Sequence, residues 1–195
     1  MNVDVSRRSV VAGGAGIVAL LALGGAGKVL AGESSLLRPP GAQDEDRFLA
    51  TCLKCNRCQS VCPQNSLSTA VLEDGLLNWR TPAMDYHRGI CDFCGKCLEV
   101  CPSGAIQEFN EETQAIGTAV IDQERCIAFQ MSGCTVCAEA CIYGAITLDD
   151  HNRPVVDQSK CNGCGRCEYK CPSNSYLSYS GGNKRGINVQ PKEVG

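Results

Sequence analysis

Cysteine in a fixed rhythm is the first feature of this sequence that can do chemistry. Cys52, Cys55, Cys58 and Cys62 follow the spacing C-x2-C-x2-C-x3-C, with Pro63 next. Cys91, Cys94, Cys97 and Cys101 repeat it before Pro102, and Cys161, Cys164, Cys167 and Cys171 before Pro172. A further quartet, Cys126, Cys134, Cys137 and Cys141, has seven residues in its first gap and Ile142 in place of the proline. Thiolates at i, i+3 and i+6 on one tight loop can address three corners of a single 4Fe–4S cubane, while backbone N–H groups of the same loop point at its sulfides. Gly95, Gly163 and Gly165 permit the close backbone approach this needs. The last two cysteines of each quartet are four residues apart, about one helical turn, so a short helix can hand its two sulfurs to two different clusters.

Two other chemistries compete for the same residues. Sixteen cysteines in 195 residues is a density that a disulfide-rich secreted scaffold also reaches. Disulfides need matched pairs at short Cα separation, and nothing in that requirement repeats one 2-2-3 spacing three times. Zinc takes four thiolates in a tetrahedron, usually from two separated C-x2-C knuckles, whereas here three cysteines crowd each loop. The spacing therefore assigns all sixteen cysteines to four 4Fe–4S clusters. The longer third quartet has two readings: a cluster with altered hydrogen bonding and solvent access, or a neutral insertion that keeps all four ligands.

The elements that must position these ligands also repeat. Cys91, Cys126 and Cys161 are spaced 35 residues apart, and Ala119–Cys126 matches Pro154–Cys161 in register. Such a period is one supersecondary unit used several times. Each unit reads as a cluster loop, a short helix ended by proline, and a small hairpin. In the third unit Ala145–Leu148 and Pro154–Val156 are the strands around Asp149–Asn152. Two such units related by a pseudo-twofold hold two clusters, so the fold class is α+β: two bacterial-ferredoxin-like dicluster modules, rich in loop. Aromatic residues are only 5% of the chain, too few to fill a large core, so inorganic staples suit the composition.

The remaining chemistry is sparse. His87 and His151 are the only histidines, and they read as structural or surface residues because every quartet already has its thiols. Trp79 and Tyr86 lie in the 28-residue connection between the first two quartets and read as packing residues. There is no C-x-x-C-H, phosphate loop or nucleophile–base pair, and the chain alone is not expected to be an enzyme. Leaving out residues 1–31, fifteen basic residues stand against twenty acidic ones without a basic stripe, which argues against nucleic acid as a partner.

Residues 1–31 read as a signal peptide. Arg7-Arg8 precedes nineteen uncharged residues, Ser9 to Gly27, and Val29-Leu30-Ala31 supplies a small-residue cleavage site. The paired arginines and the glycine-rich apolar run resemble a twin-arginine signal, a route that carries folded proteins. A retained membrane anchor is the alternative. Residues 32–47 read as a linker, 48–179 as the polyferredoxin body with motifs at 52–62, 91–101, 126–141 and 161–171, and 180–195 as a flexible tail.

From the twin arginines to the last quartet, the chain resembles the NapG/MauM family of ferredoxin-type proteins. The likeness is carried by Leu36-Leu37-Arg38-Pro39-Pro40-Gly41-Ala42, by Thr81-Pro82, and above all by Cys126-Ile127-Ala128-Phe129-Gln130 opening the long gap. The second quartet departs from the family's longer third gap, and Ile142 from its Cys-Pro. The resemblance implies a periplasmic electron carrier at the outer face of the cytoplasmic membrane. Its partner would be a polytopic membrane ferredoxin-type protein that oxidises quinol, and its acceptor a periplasmic cytochrome or reductase. The Fe–S subunit of another exported oxidoreductase (a molybdenum enzyme or hydrogenase) and a maturation factor for an exported redox enzyme are the competing readings. Ligand pairing stays open between neighbouring quartets and a nested order, first with fourth and second with third. The short 19-residue link between Cys141 and Cys161 favours neighbours. The long first connection, and the resemblance to four-cluster subunits that nest, lean to nesting.

Overall fold

The computed structural model describes residues 36–131, 133–173 and 185–192. The signal segment 1–31 lies outside them. Among the described residues no helix is long and apolar enough to cross a membrane.

Two similar halves follow one another along the chain. The first contains α1 (Glu45–Thr51), α2 (Arg57–Ser60), β1 (Leu67–Thr69), a 3₁₀ turn at Leu72–Asp74, β2 (Pro82–Met84) and α3 (Lys96–Glu99). The second contains β3 (Thr118–Ile121), α4 (Ile127–Gln130), α5 (Val136–Ala140), β4 (Ile146–Leu148), β5 (Pro154–Val156), α6 (Arg166–Lys170) and β6 (Ile187–Gln190). The hairpin expected in the third unit is present, with Ile146 opposite Val156 and Leu148 opposite Pro154. Its counterpart in the first half is the antiparallel pair β1–β2, Leu67 opposite Met84.

Each half is closed by pairing the segment before its first quartet with the segment after its second. In the second half this is β3 against β6, running antiparallel from Thr118 opposite Gln190 to Ile121 opposite Ile187. In the first half it shrinks to one hydrogen bond, the Gln107 N–H donating to the Gly41 carbonyl at 2.9 Å. Gly41 has φ +84°, and a Cβ there would lie 1.9 Å from the Gln107 oxygen, so only glycine fits this contact.

The segment expected as a linker, 32–47, is packed over residues 37–42. Arg38 is 3% exposed. Its guanidinium donates to both Glu45 carboxylate oxygens (2.7 and 2.5 Å), to Asn78 Oδ1 at 2.6 Å, Thr81 Oγ1 at 2.8 Å and the Pro82 carbonyl at 3.0 Å. It also lies 4.9 Å from the centre of the Phe48 ring. Next to it the Leu37 carbonyl accepts from Met84 N–H at 2.7 Å. The Asp44 side chain caps α1 by accepting from Arg47 N–H, with Glu45 and Asp46 in the favourable first turn. Removing Arg38 strands several of these acceptors. Arg38→Ala is therefore expected to cost about 3 kcal/mol, seen as a lower thermal midpoint of the cofactor-loaded protein under anaerobic conditions.

The expected loose tail is also corrected where residues are described. Arg185, Gly186 and Ile187 are buried, and β6 carries Ile187 into the second core while the Val189 amide donates to the Glu168 carboxylate at 2.6 Å. The alternation of Ile187 and Val189 is what makes this segment a strand. Trp79, expected to pack, is instead 49% exposed, whereas Tyr86 is buried as expected.

None of these elements is long enough to be stable alone. The buried cluster of the first half is Ala42, Phe48, Cys58, Leu67, Ala105 and Ile106, and that of the second is Ala119, Cys137, Ile146, Cys167 and Ile187. Cysteine belongs to both cores. The ligand loops are thus what the short elements are wrapped around.

Candidate metal centres

The three loops of 2-2-3 spacing share one backbone signature. In each, the residue just before the second cysteine and the residue just after it have positive φ: Lys54 and Asn56, Phe93 and Gly95, Gly163 and Gly165. Alternating the hand of successive residues curls a peptide into a concave nest whose N–H groups point inward, toward an anion. The second left-handed residue then caps a short helix (α2, α3 or α6) that carries the third cysteine. The third quartet keeps the first device, Gly133 before Cys134, and loses the second, since Thr135 has φ −116°. Its extra residues fold as α4, anchored by Gln130 Nε2 donating to the Gln123 carbonyl at 2.9 Å.

All sixteen cysteines converge into four cavities of similar size. The first is lined by Cys52, Cys55, Cys58 and Cys101. The second is lined by Cys91, Cys94, Cys97 and Cys62. Cys126, Cys134, Cys137 and Cys171 line the third. Cys161, Cys164, Cys167 and Cys141 line the fourth. Each cavity therefore takes three thiols from one loop and the fourth from the neighbouring quartet. The helices explain the exchange: α2 turns Cys58 into the first cavity and delivers Cys62, just past its end, to the second, while α3 does the reverse with Cys97 and Cys101. Nested pairing is overturned by this geometry. The insertion in the third quartet leaves Cys126 and Cys134 lining one cavity, so the ligand set stays whole.

The thiols fit a multi-iron group and fit other chemistry poorly. All sixteen are free of disulfides. Among the described residues no three Cys, His, Asp or Glu side chains approach closely enough to hold a single metal ion, so the sulfurs surround a volume rather than a point. Burial, and then the neighbouring thiolates, push Cys137 up to about 12. Burial likewise pushes Cys58 and Cys91 up to about 12 and Cys97 to about 11. Thiols raised in this way become thiolates in a shared cavity only with a compensating cation, a charge that bound iron would supply. Cys101 goes the other way: burial raises it, but N–H groups of Ile106, Ser103 and Ala105, with the Ser103 hydroxyl, bring it below its ordinary value. Serine hydroxyls also flank the fourth cysteines at Cys62 (Ser66, 3.4 Å) and Cys171 (Ser173, 3.1 Å). The spacing gave no hint of these serines.

The histidines take no part. The His87 Nε2 lies 3.4 Å from a Glu168 carboxylate oxygen, and His151 is exposed on the β4–β5 turn.

Comparison with known proteins agrees with this geometry. The model of a 4Fe-4S dicluster domain matches residues 51–105, which hold the first two motifs, and 131–175, which hold the last three cysteines of the third motif and all of the fourth. The second span begins after Cys126, the ligand displaced by the insertion. Ferredoxin-type protein NapG of Escherichia coli (strain K12) is 37% identical over 182 residues, covering 84% of this chain and 78% of its own. The methylamine utilization ferredoxin-type protein MauM of Methylophilus methylotrophus is 32% identical over 182 residues, covering 83% and 74%. Ferredoxin-type protein NapF of Escherichia coli (strain K12) is 28% identical over 176 residues, covering 88% and 93%.

Proposed function

The chain belongs to the NapG/MauM family of ferredoxin-type proteins, an iron–sulfur electron-transfer family, and from that premise we propose that it is a four-cluster relay between a quinol-oxidising membrane partner and a periplasmic acceptor. The observation that carries the reading is the set of four cavities, each completed by a thiol from its neighbour. Cys52, Cys55, Cys58 and Cys101 hold one 4Fe–4S cluster, Cys91, Cys94, Cys97 and Cys62 the second, Cys126, Cys134, Cys137 and Cys171 the third, and Cys161, Cys164, Cys167 and Cys141 the fourth. Such a cluster, when bound, takes up and returns one electron. The chain's own part is to hold the thiolates, aim backbone N–H groups at them and exclude water. A quinol gives up two electrons and two protons. The protons leave at the membrane partner, and the electrons pass through this protein singly to a cytochrome or reductase. The twin arginines and apolar run of residues 1–31 support export of the folded, loaded protein.

An apolar face beside the first cavity supports a partner on the membrane side. Leu53 lines that cavity and is 66% exposed, and Leu72, Leu76, Leu77 and Trp79 stand exposed on the adjoining loop. The two segments are tied by Lys54 Nζ donating to the Leu77 carbonyl at 3.0 Å. A run of large apolar side chains left in water marks a contact surface. In an assay with quinol-reduced membranes carrying the partner, the loaded protein is expected to be reduced, and to be reoxidised by a periplasmic cytochrome. The Leu76→Glu/Leu77→Glu double variant is expected to be reduced about tenfold more slowly, with iron content and reduction by dithionite unchanged. Equal rates for both proteins would remove this face from the reaction. No reduction of the wild type would favour a different oxidoreductase complex or a maturation role.

A further inference from the structure

The two halves meet through several contacts, and the one at a loop of the fourth cavity reaches the ligands themselves. The Cys91 N–H donates to the Cys164 carbonyl at 2.9 Å. One of these residues lines the second cavity and the other the fourth. Beside them Tyr86 is 2% exposed, and its hydroxyl donates to the Gly163 carbonyl at 2.5 Å. Its ring lies flush on Gly165, where an added Cβ would come within 2.1 Å of Tyr86 Cδ1. On the other side of the loop the Ile116 N–H donates to the Asn162 carbonyl at 2.9 Å, and a Cβ on Gly163 would strike the Gly117 backbone at 2.6 Å. Glycine at 163 and 165 serves a second purpose here besides its positive φ. At 165 it lets Tyr86 of the first half press against the loop without a side chain between, and at 163 it does the same for Gly117, just before β3.

Within each half the cavities are already coupled by exchanged cysteines, first with second and third with fourth. The bridge joins second to fourth and so leaves the first and third as the outer members. We propose that electrons cross between the halves through the Cys91–Cys164 hydrogen bond, that Tyr86 is the positioning residue that holds it, and that the order of transfer is first, second, fourth, third. The order along the wire therefore differs from the order along the sequence. The quartet with the long insertion stands at the end remote from the apolar face of Leu53, Leu76 and Leu77. Each hop moves one electron, oxidising one centre and reducing the next, with no bond made or broken. This inference rests on the occupancy proposed above.

The test begins with iron counting on anaerobically purified, loaded protein, which separates the two readings: far fewer than about sixteen iron per wild-type chain would overturn the occupancy itself. Order is then read from EPR of the fully reduced protein, where neighbouring reduced centres broaden each other's lines. Cys164→Ser is expected to change the lines of the second centre, and Cys134→Ser to leave them as they are. The opposite pattern overturns the order. Positioning is read by freeze-quench EPR after one electron equivalent is delivered by a pulse of reduced viologen. Gly165→Ala, which forces Tyr86 off the loop, is expected to slow redistribution between the halves severalfold. Tyr86→Phe keeps the ring and the fold but loses the hydroxyl, and is expected to slow redistribution measurably with full iron content. Wild-type redistribution in Tyr86→Phe, whatever becomes of Gly165→Ala, overturns the positioning role.

Discussion

Serine at position 101 is expected to damage the centre built on Cys52, Cys55 and Cys58, and to leave the centre of its own sequence motif intact. Iron should fall from about sixteen per chain to between about fifteen and about twelve, as one corner or the whole group is lost. The EPR features that disappear should be those lost in Cys55→Ser. Cys62→Ser should likewise reproduce Cys94→Ser, and Cys171→Ser should reproduce Cys134→Ser. This follows from the short helices, whose length sends the third cysteine of a motif one way and the fourth the other. A nested protein would answer differently, with Cys171→Ser reproducing Cys55→Ser. That single comparison decides between the pairings.

Withdrawal of iron is expected to unfold the described body almost completely at room temperature. The two main cores consist of a handful of apolar side chains each, with Cys58, Cys137 and Cys167 among them. Strands of three or four residues and helices of four to seven cannot persist without a tertiary framework. In a protein of this kind the free energy of metal binding is the free energy of folding. Anaerobic treatment with a strong chelator should abolish protease resistance and most of the circular dichroism, and recovery should require both iron and sulfide. A chelated protein that kept its protease resistance would show that the side-chain core suffices. The pH dependence has a definite sign. Loaded cavities would hold thiolates, whereas the thiols of the unfolded iron-free chain are solvated and stay protonated below about 8.5. Iron loss therefore takes up protons, and falling pH promotes it.

How much of this was legible beforehand depended on whether the signal was local. The quartets, the helix between third and fourth cysteines, and the hairpin of Ile146–Leu148 with Pro154–Val156 are set by contacts a few residues apart, and each reads directly from spacing. Pairing of the quartets did not, because a 2-2-3 motif offers its fourth thiol outward without saying to whom. The contact lies between helices 39 residues apart in the first half, and only their packing decides it. Arg38 was hidden for another reason. A Pro-Pro-Gly segment beside acidic residues has the composition of a linker, yet one guanidinium with five hydrogen bonds to four residues makes it part of the core. Residues 187–190 lacked length, and two alternating apolar residues carry little weight until β3 is seen lying beside them. Tyr86 reads in the sequence only as an aromatic in a long connection, because its partners, glycines 77 and 79 residues downstream, sit in a cluster loop whose geometry already calls for glycine.

The closing strand of the second half has a bearing on the order in which the molecule is made. β6 emerges from the ribosome after every cysteine it helps to enclose, since Ile187 follows Cys171 by sixteen residues. The first half is sealed by Gln107 against Gly41, and all of its ligands, its hairpin and its seal are synthesised before β3 begins. One nascent chain thus presents a finished two-cluster unit while its other half is still an open one. Were cofactors inserted as the chain is made, the cavity that meets the apolar face would be complete before the remote one.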